Sequence, residues 1–114
     1  RDENSSHQMT LDNTGTGTFT GDVVAYSDAR LKEDVKTLDG SKVYDMRGVS
    51  FKRIDTGKEG SGVIAQEIQK VAPELITETD NHLGVAYGNI TGYLIEAIKD
   101  LKQEVEELKK QINK

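Results

Sequence analysis

Leu94, Ile98, Leu101, Val105, Leu108 and Ile112 recur at spacings of 4, 3, 4, 3 and 4 residues. This is a heptad seam, with Ile98, Val105 and Ile112 at a and Leu94, Leu101 and Leu108 at d. At about 1.5 Å per residue, a helix over residues 88–113 runs nearly 40 Å, longer than a small core needs. Glu104 at g and Lys109 at the following e suit a bridge between neighbouring parallel helices, and Glu106 with Lys110 adds a pair on the outer face. A coiled coil over about 90–113 is therefore expected, the alternative being an amphipathic helix packed on its own domain. β-Branched residues at a with Leu at d lean towards two strands, so the seam alone points to a dimer.

Self-association also fits the scarcity of apolar material. Leu, Ile, Val and Phe number 27 of 114 residues, and there is no Trp. That is enough to fold one domain but not two cores. The net charge of −5 opposes binding to nucleic acid or an anionic membrane through bulk electrostatics. With no Cys, disulfides, thiolate zinc sites and cysteine nucleophiles are excluded. His7 and His82 are the only histidines and have no ligand spacing, so neither a metal nor a cofactor is expected. No apolar run is long enough to span a membrane and the first residues lack a signal peptide's apolar stretch, so a soluble chain is expected. Opening on Arg1, it reads as a fragment of something longer.

Composition changes along the chain. Residues 1–18 are rich in Asp, Asn, Ser, Thr and Gly, and read as a tail or the end of a fibre. Residues 18–26 are β-branched and aromatic, which predicts one or two short strands bent at Gly21-Asp22. From Ser27 the spacing of Leu31, Val35 and Leu38 predicts a helix capped by Ser27 or Asp28 and stopped at Asp39-Gly40. Residues 49–54 and 62–65 flank turn chemistry and predict a β-hairpin. A short helix is expected from Ala65 to Val71, ended by Ala72-Pro73. Residues 75–77 and 83–87 predict two more strands around Thr79-Asp80-Asn81. The class is α+β.

The chemistry-bearing residues are few. Ser27-Asp28-Ala29-Arg30-Leu31-Lys32 places a hydroxyl five residues before an amine at a strand-to-helix junction. If the chain folds back there, Lys32 Nζ reaches Ser27 Oγ. A serine hydroxyl becomes a nucleophile when a base takes its proton, and a desolvated lysine has its pKa lowered towards that task. The plain alternative is a capping Ser27 with a solvated Lys32. Gly15-Thr16-Gly17 and Gly60-Ser61-Gly62 lack a following Gly-Lys-Ser/Thr and read as turns. Gln66 and Glu67 are expected to face solvent while Ile64, Ile68 and Val71 pack inward. Tyr87 and Tyr93 read as core or interface residues.

Beyond the 27–32 hexapeptide come Phe51-Lys52, Gly62-Val63-Ile64-Ala65-Gln66-Glu67, Ala72-Pro73-Glu74, Val85-Ala86-Tyr87 and Leu94-Ile95-Glu96-Ala97-Ile98, in that order. The series closely resembles the C-terminal intramolecular chaperone domain of phage endosialidases, tail spikes and tail fibres. This self-cleaving peptidase family is also found in a membrane-anchored animal transcription factor. The resemblance spans residues 27–114.

The resemblance implies a homotrimeric chaperone, made at the end of a fibre chain, that aligns three chains and then cuts itself off. Residues 1–26 would be the distal end of the fibre and 27–114 the chaperone, and the trimer replaces the dimer that the heptads favour. Ser27 matches the family's nucleophile and cleavage-site serine, and Lys32 its dyad partner. Asp28 and Arg30 belong to the same signature without an assigned role; Arg30 either holds Asp28 or binds a carboxylate elsewhere. Two bonds are open to cutting. Attack by Ser27 Oγ on the Tyr26 carbonyl is the simple chemistry, an N-to-O acyl shift, whereas the family cut is usually placed between Ser27 and Asp28. Oxyanion donors are expected among backbone N–H groups at the helix start after Ser27. Assembly would take place in the host cytoplasm, with the fibre part kept in the virion tail and the chaperone released. The rival functions are a trimerisation module that is never cut and, more remotely, a receptor-binding fibre tip.

Overall fold

The computed structural model describes residues 8–113. The chain divides after Val35 into two units. Residues 1–7 of the expected fibre end, with His7, lie outside the described residues.

In the first unit, β1 (Met9–Leu11) pairs antiparallel with β2 (Gly17–Phe19), Met9 opposite Phe19 and Leu11 opposite Gly17. The turn between them is organised by Asp12. Its Oδ1 accepts from Thr14 N at 2.9 Å, Thr14 Oγ1 at 2.7 Å and Thr16 N at 2.9 Å, and Gly15 supplies a left-handed φ of 89°. The expected strand over residues 18–26 is thus corrected. It begins and ends earlier and pairs back into the stretch read as a tail, because the Asp12 turn fixes the hairpin there. Val23, Val24 and Tyr26 lie in no strand and are largely exposed.

The helix expected from Ser27 is also corrected. A single 3-10 turn, Ala29–Leu31, stands there, and Lys32 at its end is already extended. Asp34 then takes a left-handed φ of 54°, which an α-helix does not contain. Leu31 and Val35 are exposed, so the apolar spacing that suggested the helix is not covered, and a helix this short does not persist uncovered.

The second unit holds the core. A 3-10 segment, Gly40–Asp45, is capped by Asp39, whose carboxylate accepts from Ser41 N. It is followed by β3 (Val49–Lys52) and β4 (Glu59–Gly62), paired from Val49 opposite Gly62 to Lys52 opposite Glu59. The returning strand lies earlier than residues 62–65, and Gly60-Ser61-Gly62 is in it rather than in a turn, because Ala65 already begins α1 (Ala65–Val71). Pro73 occupies the first position of a following 3-10 turn, Pro73–Leu75, where its missing N–H costs nothing. β5 (Ile76–Thr79) and β6 (His82–Val85) form another hairpin across Asp80-Asn81, both at positive φ as a two-residue type I′ turn requires. After a turn over Tyr87–Asn89 comes α2 (Ile90–Ile112), 23 residues long. Three hairpins and two helices among the described residues make the unit and its neighbour mixed α+β.

Ile68, Ala72, Leu75 and Tyr93 are buried together, with Val43, Met46, Val63, Ile76 and Ile90 packed around them. α1 therefore buries Ile68 and leaves Gln66 outward, as its period predicts, whereas Glu67, also expected to face solvent, is half-buried. Gly40 lies so close to α2 that a Cβ there would sit 2.4 Å from Ala97 N. The buried stripe of α2, Tyr93 and Ala97, is set off around the helix from the heptad seam. All six seam residues are exposed in the single chain, from 45% at Leu94 to 79% at Ile112.

Candidate functional site

The sequence Ser27-Asp28-Ala29-Arg30-Leu31-Lys32 builds its own geometry in the first unit. Asp28, at φ −68° and ψ 134°, caps the 3-10 turn by accepting from Arg30 N at 2.8 Å. Leu31 N donates to Asp28 O at 3.0 Å and Lys32 N to Ala29 O at 3.1 Å, which closes the turn. The reversal carries Lys32 back towards Ser27, and Lys32 Nζ donates to Ser27 Oγ at 2.6 Å. The two side chains paired by spacing are thus brought together, although by a 3-10 turn rather than an α-helix. Asp28 rather than Ser27 is the cap, so the Ser27 hydroxyl is left to Lys32.

Asp28 and Arg30 form a bidentate pair. Arg30 Nε donates to Asp28 Oδ1 at 3.0 Å and Nη2 to Oδ2 at 2.8 Å, so both carboxylate oxygens are engaged. The Arg30 guanidinium, helped by the Arg30 backbone N–H, holds the Asp28 carboxyl below its ordinary value, and Asp28 in turn raises Arg30. The sequence left these two without a role; their i, i+2 spacing across a capped turn was the available signal.

The arrangement can present a serine hydroxyl to an amine on a turn that is open to water. In that state Lys32 donates to the oxygen it would have to deprotonate, so base catalysis requires the ammonium first to lose its proton. Of the expected oxyanion donors after Ser27, the N–H groups of Arg30, Leu31 and Lys32 are already bonded within the turn, which leaves those of Asp28 and Ala29. One 3-10 turn also supplies little macrodipole. Tyr26, on the other side of Ser27, is almost fully exposed. Among the described residues no cluster of His, Asp and Glu could hold a metal ion, and no helix is long and apolar enough to cross a membrane.

Two side-chain contacts that tie the second unit together escaped sequence reasoning. Arg47 pairs with Glu67 through two bonds, the shorter at 2.6 Å, and fastens the segment before β3 to α1. Tyr93 donates its buried hydroxyl to Glu74, joining α2 to the Pro73–Leu75 turn. The hydroxyl of Tyr87, which is exposed, accepts from Val63 N at 3.2 Å.

Comparison with known proteins starts at the same serine. Residues 27–77 match the family model described as chaperone of endosialidase. The long tail fiber protein Gp37 of Enterobacteria phage Ox2 is 30% identical over 108 residues, covering 83% of this chain and 43% of that protein. Gp37 of Enterobacteria phage M1 matches to the same extent. Gp37 of Enterobacteria phage K3 is 31% identical over 98 residues, 75% of this chain but 8% of that protein. The chain thus spans less than half the length of these relatives. Residues 27–77, opening on Ser27, thus form a chaperone of endosialidase (Peptidase_S74) domain, and the homologues of the chain are phage long tail fibre proteins.

Proposed function

We propose that this chain is the distal end of a phage tail fibre followed by its intramolecular chaperone, which trimerises, aligns the fibre strands and releases itself by cutting at Ser27. The family is one of self-cleaving serine peptidases. In this reading residues 1–26 are fibre and 27–114 chaperone, Ser27 is the nucleophile and Lys32 its base. The observation that carries it is the 2.6 Å contact from Lys32 Nζ to Ser27 Oγ at the first residue of the family match.

Physical reasons favour this order of events. Threading three fibre strands carries a large closure entropy, and a short repetitive strand is easily paired out of register. A trimer held at the exposed α2 seam raises the local concentration of the strands and sets their alignment. Ser27 and Lys32 are open to water in one chain. Packing by neighbouring copies would desolvate the amine and favour its neutral form. Cutting would then follow correct assembly, and removal of the chaperone would leave the fibre kinetically trapped. Assembly belongs to the host cytoplasm, and the fibre part stays in the virion.

Intact-mass measurement tests the proposal. The chain is expected to break into two fragments, while Ser27→Ala and Lys32→Ala stay whole. A boundary after Tyr26 marks attack by Oγ on the Tyr26 carbonyl, forming the ester as the C–N bond breaks and Ser27 N takes the proton, with water then releasing the acyl group. A boundary after Ser27 marks hydrolysis on the other side. A wild-type chain that stays whole over days would leave a structural trimerisation module as the function.

A further inference from the structure

Ser27 and Asp28 are adjacent, so any amine that reaches Ser27 Oγ is also near the Asp28 carboxylate. For a lysine that must lose a proton, this is a poor neighbour. A carboxylate within about 4–6 Å favours the charged ammonium and raises the amine's pKa. Yet Lys32 Nζ bonds to the hydroxyl, and no carboxylate lies within ion-pair distance of it among the described residues. The reason is visible at Asp28. Arg30 covers both carboxylate oxygens with Nε and Nη2, and its backbone N–H takes a further lone pair of Oδ1.

The exposure of this pair argues against a role in stability. The Arg30 side chain is 89% exposed and that of Asp28 43% exposed, and an ion pair so open to water contributes little to folding. Its geometry is nevertheless the bidentate fork that arginine makes and lysine does not.

We propose that Arg30 is a positioning residue for the cleavage reaction, which by occupying Asp28 keeps that carboxylate off Lys32 and leaves the amine to Ser27. The proposal rests on the Ser27–Lys32 reading of the site. The charged groups that bear on Lys32 are few. Asp28, Arg30, Glu33, Asp34 and Lys36 are on its own segment, Asp22 lies in the link before Ser27, and Asp12 of the β1–β2 hairpin is engaged by Thr14 and Thr16. Asp28 alone among the carboxylates neighbours the hydroxyl that Lys32 contacts. Asp28 also caps the turn, so its replacement by Ala would confound two effects; Asp28→Asn keeps a cap acceptor and removes only the charge.

The test is a titration of Lys32 in the full chain carrying Ser27→Ala, so that the chain stays whole, followed by NMR of the labelled lysine side chains. Adding Arg30→Ala is expected to move the Lys32 midpoint up by roughly half to one pH unit. Adding Asp28→Asn as well is expected to bring it back. No rise with Arg30→Ala overturns the proposal. So does a rise that persists in the chain with both further changes, because loss of the like charge on Arg30 would then account for it. In the chain with Ser27 restored, Arg30→Ala is expected to move the cleavage-rate profile towards alkaline pH by the same amount, and Arg30→Lys to restore it only in part. A Lys32 midpoint that moves while the rate profile does not would show that Lys32 is not the base. That outcome defeats the dyad reading and with it a role for Arg30 in cleavage, whereas an unmoved midpoint defeats the Arg30 proposal alone.

Discussion

Tyr93 and Glu74 show how one contact between side chains sets a pH range. The buried Tyr93 hydroxyl donates to the Glu74 carboxylate, which holds Glu74 below its ordinary value and, with burial, pushes Tyr93 up to about 12. A depressed carboxyl contributes stability above its unfolded pKa of 4.5 and loses it as pH falls through the folded value. A raised phenol contributes below its unfolded pKa of 10.0 and loses it as pH climbs towards about 12. Thermal melts of the second unit should therefore be level across neutral pH, weaken below about pH 4.5 and weaken again above about pH 10. Tyr93→Phe is expected to cost about 1 kcal/mol at neutral pH, modest because Glu74 still meets water, and to flatten the alkaline limb. An alkaline limb unchanged in Tyr93→Phe would assign it to other groups. Gly40 is a harder constraint. Its missing Cβ would sit 2.4 Å from Ala97 N and 2.5 Å from the Glu96 carbonyl carbon, both backbone atoms of a helix that cannot yield. Gly40→Ala is expected to push the Gly40–Asp45 segment off α2 and cost about 1–3 kcal/mol in urea unfolding. Gly48→Ala, which meets nothing within 4 Å, is the matched control.

Secondary structure was readable where a period and a stop signal agreed. α1 runs from Ala65 to Val71 as read, because Ile64, Ile68 and Val71 share a face and Pro73 ends the helix. The β5–β6 hairpin follows from the turn residues between two apolar runs. Its Asp80-Asn81 turn holds φ of 50° and 63°, a conformation that Asn-Gly adopts more readily. Asp80→Asn with Asn81→Gly should raise the melting midpoint of the second unit, by about 0.5–1 kcal/mol in stability, and Asn81→Val should lower it. The helix expected from Ser27 failed for a related reason. Leu31, Val35 and Leu38 have helical spacing, but a helix that short persists only when its apolar face is covered, and Leu31 and Val35 are not. Local polar chemistry decided instead: Asp28 captured Arg30 N, and Asp34 turned left-handed. The Ser27–Lys32 proximity was nevertheless readable, because any tight turn between those positions returns the long lysine stem to the hydroxyl. The Asp28–Arg30 fork was readable only as one of two options for Arg30, since i, i+2 charges pair only when the turn is already made. The β1–β2 hairpin was missed because its three-residue strands carry almost no alternation, and the informative residue was Asp12 in the turn.

At the scale of the molecule, apolar residues outnumber the places one chain has to put them. The core of the second unit is small, and the seam of α2 faces away from it. Taking about 100° per residue, the stripe through Tyr93 and Ala97 lies roughly a sixth of a turn around α2 from the line through Leu94, Leu101 and Leu108. The seam residues from Leu101 onward also lie further along α2 than Tyr93 and Ala97, so they can be changed without touching the buried stripe. Leu101→Glu with Val105→Glu places like charges at adjacent d and a positions, where association would bury them beside their copies in neighbouring chains. Both positions lie beyond the part of α2 that packs on its own unit, so the urea unfolding slope should persist and circular dichroism should lose little helix. Sedimentation should change from a trimer to a monomer at micromolar concentration. If cutting depends on packing by neighbours, the same chain should also stay whole by intact mass although Ser27 and Lys32 are untouched. Cleavage at the wild-type rate by a monomer would show that the turn from Ser27 to Lys32 is sufficient by itself. A wild-type chain that sediments as a monomer would remove the coiled coil from the proposal and leave the exposed seam without that partner.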